Sequence, residues 1–97
     1  MDLSGKSAIV LGGTSGIGLS AVQQLERAGA TVVAGGRSST HIEQAASTTG
    51  ASVTYREIDV LDRAALSGLF EDRAPFDILV NSATGGERAS GPFLEMD

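Results

Sequence analysis

There is no cysteine in this chain of 97 residues, and no tryptophan. The first absence excludes disulfides, thiolate catalysis and Cys-ligated metals. Tyr55, Phe70, Phe76 and Phe93 are the only aromatic residues, too few for a platform that stacks nucleic-acid bases. Cations are also sparse. Lys6 is the single lysine, and the formal charge is −5, with acids scattered rather than run together. Nucleic-acid binding needs clustered Lys and Arg against phosphates, so that partner class is set aside. No apolar run approaches the ~20 residues that span a bilayer, and Asp2 sits where a signal peptide would be basic. The expectation is a cytoplasmic protein with neither a membrane nor a nucleic-acid partner. His41 stands alone on a weak helix, without a second ligand, so no metal site is expected.

What is present is glycine and short apolar runs. The length allows one small domain at most, and an apolar fraction of 41% suffices for a packed core. The stretch Ser7-Ala8-Ile9-Val10-Leu11-Gly12-Gly13-Thr14-Ser15-Gly16-Ile17-Gly18 organises the rest. An apolar, β-branched run ends in closely spaced glycines, and a helical pattern begins at once. Such a strand–turn–helix brings an anion against bare backbone, where free N–H groups and the positive end of the helix dipole hold it.

Spacing separates the motifs that compete for this turn. A P-loop would run from Gly13 to Gly18, but Leu19 stands where its lysine belongs. The G-x-G-x-x-G/A fingerprint fits Gly16-Ile17-Gly18-Leu19-Ser20-Ala21. Its first glycine should close the strand directly, and here Gly12 to Ser15 intervene. The remaining pattern is Gly12-x-x-x-Gly16-Ile17-Gly18, and it resembles the turn of the short-chain dehydrogenase/reductase family, Thr-Gly-x-x-x-Gly-Ile-Gly. Leu11 replaces the usual Thr. Leu3-Ser4-Gly5-Lys6 is likewise similar to the family's lead-in to its first strand. A glycine turn without a ligand is the plain structural alternative.

Along the chain, strand one covers Ser7 to Leu11, and its unbroken apolar character suits a parallel strand buried on both faces. Helix one runs from about Gly16 to Ala28, with Ile17, Ala21, Val22, Leu25 and Ala28 as the buried stripe and Gly29 as its stop. Strand two is Thr31 to Ala34, followed by Gly35-Gly36-Arg37-Ser38. Helix two begins near Thr40, with Thr40 and Glu43 as a capping box, and ends at Gly50. Strand three, Ser52 to Ile58, carries charges that suit an edge. Asp62 caps helix three, whose stripe is Ala65, Leu66, Leu69 and Phe70. After Pro75, strand four runs from Phe76 to Val80 and ends at Asn81. Ser82 to Asp97 shows no periodicity. This β-α-β-α-β-α-β order calls for an α/β doubly wound, Rossmann-type parallel sheet in the order 3-2-1-4, with the ligand crevice beyond strands one and four. Residues 1–97 read as the first part of one such domain, without repeats or linkers.

Further residues take roles from the resemblance. NAD-binding proteins place an acid at the end of strand two to accept from the ribose hydroxyls. Gly36 stands there, and Arg37 follows it. A guanidinium binds a 2′-phosphate by a charge-assisted fork that a carboxylate would repel, so the resemblance implies NADP(H) over NAD(H). Ser38 adds a hydroxyl, and Thr14 and Ser15 border the same phosphate. Asp59-Val60 is similar to the family's Asp-Val pair, whose carboxylate accepts from the adenine amine while the following backbone completes the contact. Asn81-Ser82-Ala83-Thr84 resembles the family's Asn-Asn-Ala-Gly. There Asn81 ties the central strands, and Ser82 and Ala83 touch the nicotinamide-side ribose. Each of these positions also has a plain reading as a solvated loop residue.

The family's proton-transfer machinery is a Tyr, a Lys four residues later and an upstream Ser. Tyr55 and Lys6 occur in the wrong order, and Tyr55 has Asp59 four residues on. No catalytic residue is therefore assigned. Family members are more than twice this length, so the resemblance implies the cofactor-binding part of an NADP(H)-dependent oxidoreductase that interconverts a carbonyl and an alcohol, homo-oligomeric when full length. The alternatives are a non-enzymatic dinucleotide-binding or regulatory module, or a fragment without activity. A Tyr-x-x-x-Lys further along the chain would separate them. No substrate can be named from these residues.

Overall fold

The computed structural model describes residues 2–14 and 16–82. Its elements are β1 (Ser7–Leu11), α1 (Gly16–Arg27), β2 (Thr31–Gly36), α2 (Ser39–Ala46), β3 (Val53–Glu57), α3 (Arg63–Arg73) and β4 (Ile78–Asn81). The four strands form one sheet in the order β3-β2-β1-β4. Every pairing is parallel, with Leu11 opposite both Gly35 and Asn81, and Gly36 opposite Glu57. The carboxyl ends of the strands thereby lie along one rim. This is the expected doubly wound topology, with β3 at an edge.

Period-2 alternation divides the core between the two faces of the sheet. On one face Ala8, Val10, Val32, Ala34 and Val53 pack with Val22 of α1. On the other, Ile9, Leu11, Val33 and Ile58 pack with Leu69 of α3. β1 is apolar at successive positions because it is covered twice. Full burial of a side chain such as Val22 or Leu69 contributes about 1.5–3 kcal/mol. α1 stops as expected: Gly29, at φ 101, lets its own N–H reach Glu26 O and lets Ala30 N–H reach Leu25 O.

Six boundaries and one burial assignment differ from expectation. β2 continues through Gly35 and Gly36, because neighbours on both sides hold them extended. Gly35 O accepts from the N–H groups of Gly12 and Gly13, and Gly36 O accepts from Ile58 N–H. Pairing from both edges overrides the low strand propensity of glycine. α2 is capped by Ser38 rather than Thr40. Ser38 is extended at φ −105, ψ 121, and its Oγ accepts from His41 N–H at 3.2 Å. Thr40 lies inside the helix, so the Thr40–Glu43 box does not form. The helix ends at Ala46, not Gly50, because the hydroxyls of Ser47, Thr48 and Thr49 bond back to Gln44 O and Ala45 O.

β4 begins at Ile78 rather than Phe76, whose ring packs on Phe70 with centroids 5.7 Å apart. The expected β3 loses one residue at each end, a difference of the size at which strand ends fray. Ile17 leaves the buried stripe of α1 altogether and is 82% exposed. It precedes the part of the helix that lies over the sheet, where Val22 is fully buried and Leu25 partly so.

Candidate functional site

The rim at the carboxyl ends of β1, β2 and β3 brings together most of the residues singled out from sequence. The turn after β1 leaves with Gly12 at φ 81, and α1 starts with Gly16 at φ 57. Both angles lie where a Cβ is disfavoured, which is why this turn needs glycine at those two places. The N–H groups of Gly12 and Gly13 are already used, at 2.9 and 3.0 Å from Gly35 O. The free donors are therefore those of the first turn of α1, beginning at Gly16, whose N–H groups have no intrahelical acceptor. No acid occupies that turn, so its positive dipole end is uncompensated by the helix itself.

Gly18 is a packing glycine. A Cβ there would overlap the Gly12 carbonyl and lie 2.5 Å from Ser82 Oγ. Helix and turn thus meet backbone to backbone. Ser82 closes this corner from β4: its N–H donates to Leu11 O at 2.9 Å, and its hydroxyl is shared between Leu11 O and Gly12 O at 3.2 and 3.3 Å. The sequence suggested a ribose contact for Ser82, whereas the hydroxyl here holds the turn. Asn81 ends β4 opposite Leu11. Ser15 and Ala83 lie outside the described residues, as does the stretch from Thr84 onward.

Beyond β2 and β3 lies an open cleft of about 400 Å³, lined by Arg37, Glu57, Ile58 and Asp59. Ile58 is buried and forms the apolar floor. Arg37 is the only cation among these four residues, and it is solvent-exposed. Asp59 folds one oxygen back, Oδ1 accepting from Leu61 N–H at 3.0 Å; its other oxygen has no partner among the described residues. The side chain of Val60 packs into the α3-side core. Ser38 spends an oxygen lone pair on capping α2 but keeps its proton to donate. The first turn of α2 contains no acid.

Two features escaped the sequence reading. Glu57, paired with Gly36 across the strands, puts a second carboxylate in the cleft. Thr14 is 7% exposed and lies directly against Gly36. A Cβ on Gly36 would overlap Thr14 Oγ1 and stand 2.6 Å from its Cγ2 and 3.1 Å from its Cβ. The paired glycines ending an otherwise β-branched strand were the available signal of a close neighbour. Among the described residues no cluster of three or more His, Asp or Glu side chains could hold a metal ion, and no helix is long and apolar enough to cross a membrane.

Comparison with known proteins follows the same lines. A family model described as short chain dehydrogenase matches residues 6–97. Gluconate 5-dehydrogenase of Gluconobacter oxydans is 36% identical over 95 residues, covering 91% of this chain and 37% of that protein. The 2-keto-3-deoxy-L-fuconate dehydrogenase of Xanthomonas campestris is 33% identical, with 98% of this chain and 31% of that protein covered. A solved structure described as a short chain dehydrogenase/reductase family protein superposes with a TM-score of 0.78 at 40% identity, over 86% of this chain and 35% of that one. The chain thus spans about a third of the length of such relatives.

Proposed function

The chain belongs to the short-chain dehydrogenase family, and on that footing we propose that residues 1–97 bind NADP(H), in preference to NAD(H), for an oxidoreductase that interconverts a carbonyl and an alcohol. The observation that carries the preference is Arg37, the one cation among the described residues that line the cleft, directly after a Gly36 that offers no carboxylate. The 2′-phosphate belongs at Arg37, with the Ser38 hydroxyl and the acid-free amino end of α2 beside it. Adenine falls to Asp59, whose unpartnered oxygen accepts from an amine, and to the Val60 backbone. The pyrophosphate belongs at the first turn of α1, where Gly16 and Ile17 are exposed and the buried Gly18 lets the helix approach the Gly12 turn; Thr14 and Ser15 border the 2′-phosphate by the resemblance. Ile17, exposed at that turn, would be covered by the bound dinucleotide. The resemblance assigns the nicotinamide side to Asn81, Ser82 and Ala83, the last of which lies outside the described residues.

Bound nicotinamide supplies the hydride in such a reaction. These residues bind and orient it. The rest of the chemistry needs a proton donor, and the pairing of Tyr55 with Lys6 does not supply one. Tyr55 instead shares a 2.7 Å hydrogen bond with Thr49 and packs against the sheet. Equilibrium titration of the protein with NADPH and with NADH, read by nicotinamide fluorescence, tests the proposal. Tighter binding of NADPH by about tenfold or more, as one charge-assisted contact of about 1.5–3 kcal/mol provides, is the expected result. Binding of neither nucleotide would overturn it.

A further inference from the structure

A side chain at position 36 would run into Thr14. Both γ atoms of Thr14, Oγ1 and Cγ2, fall within 2.6 Å of where a Cβ on residue 36 would lie. A threonine fills two of three staggered positions about its Cα–Cβ bond. The two filled positions are the two that clash, so any other rotamer leaves one γ atom in place. Backbone shifts are also constrained. Gly36 O is fixed by Ile58 N–H at 2.8 Å, Gly35 O by the turn that carries Thr14, and a Cβ on Gly35 would itself meet Ile58 Cγ2 at 2.7 Å. β2 lies between β1 and β3; β1 is in register with it as far as Gly35, and β3 as far as Gly36.

We propose that Thr14 is a specificity-determining residue: by occupying the space of any side chain at position 36, it denies the site a ribose-binding carboxylate and leaves Arg37 to select the cofactor. The proposal rests on the dinucleotide reading above for its functional part only. Its steric part concerns this chain alone. The preference is thus held by a pair of residues on two strands, and replacing Gly36 by an acid does not reverse it unless Thr14 is trimmed first. Thr14→Ala removes both γ atoms, the two nearest to that position, and leaves its own Cβ at 3.1 Å.

A double-mutant cycle on the nucleotide-free protein tests the contact, and nucleotide titration tests its consequence. Gly36→Ala in the Thr14 background should lower the melting temperature by about 5 °C or more, the scale of overpacking in a small domain. In the Thr14→Ala background the same change should cost less than half of that. Gly36→Asp alone should gain no NADH affinity, whereas Thr14→Ala/Gly36→Asp should bind NADH about tenfold tighter than Thr14→Ala does. Equal melting losses in the two backgrounds would overturn the steric lock, as would an NADH gain from Gly36→Asp alone. If the wild type binds no nucleotide but the melting losses remain unequal, the dinucleotide reading fails and the lock stands.

Discussion

Glu57 and Arg37 face the same cleft with opposite charges, and their effects on a phosphorylated cofactor must oppose. A 2′-phosphate carries close to two negative charges, so a carboxylate across the cleft weakens its binding. The corresponding hydroxyl of NADH is neutral and is indifferent to that charge. Glu57 is solvent-exposed, which limits the effect to roughly 0.5–1 kcal/mol at ordinary salt. Glu57→Gln should therefore tighten NADPH by about two- to fivefold and leave NADH unchanged. The gain should shrink as ionic strength rises and screening sets in. Titration of both nucleotides at low and high salt checks this. A gain of equal size for NADH would show that the residue acts through the shape of the cleft rather than through charge. The same pair shows what a sequence does not expose. Arg37 was legible because it follows a glycine at a position where chemistry expects an acid. Glu57 was not, since its place beside the cleft depends on the register of β3 against Gly36.

At the scale of elements, α3 is anchored chiefly through one side chain. Leu69 is its single fully buried side chain, with Ala65, Leu66 and Phe70 only partly covered. Truncation at such a position costs the transfer energy plus the cavity, so Leu69→Ala should destabilise by about 2–5 kcal/mol. Next to it, Gly68 sits in the helix interior, and an added Cβ meets nothing within 4 Å. Gly68→Ala should therefore stabilise by about 0.5–1 kcal/mol through reduced backbone entropy in the unfolded chain. Denaturant titration of both variants checks the pair, and a destabilising Gly68→Ala would contradict the open surface assigned there. Existence and order of the elements were legible throughout, because short apolar runs alternate with amphipathic stripes, most of them ended by a glycine or a proline. Their ends were less so. Ser38 and Thr40 are both good N-caps by residue type, and only the exit angle of β2 selects Ser38. Likewise, whether Gly35 and Gly36 prolong β2 depends on partners from the turn after β1 and from Ile58. Ile17 fits a helical stripe by spacing, yet the first turn of α1 projects past the sheet it would need to bury against.

For the whole molecule, the topology places the turn after β1, the end of β2 and the end of β3 on one rim, and the glycine spacing reads as a dinucleotide turn for that reason. The sheet order follows from apolar strands joined by amphipathic helices with right-handed crossovers, so it was accessible before any coordinates. The division of labour along the rim was partly accessible. Arg37 and Asp59 line one cleft, and the α1 turn follows β1 on the same rim of the sheet. The tie of Ser82 to Gly12 and the contact of Thr14 with Gly36 join residues far apart in the chain and carry no local signature. The central claim is that this rim selects NADP(H) through Arg37. Its most direct test is the ratio of NADPH to NADH dissociation constants in the wild type and in Arg37→Ala, measured by fluorescence titration in the same buffer. Arg37 is exposed and makes no hydrogen bond or ion pair among the described residues, so its removal should leave the fold intact. The account predicts that Arg37→Ala weakens NADPH by about tenfold to a hundredfold and NADH by less than about twofold. Equal weakening of the two nucleotides would contradict it.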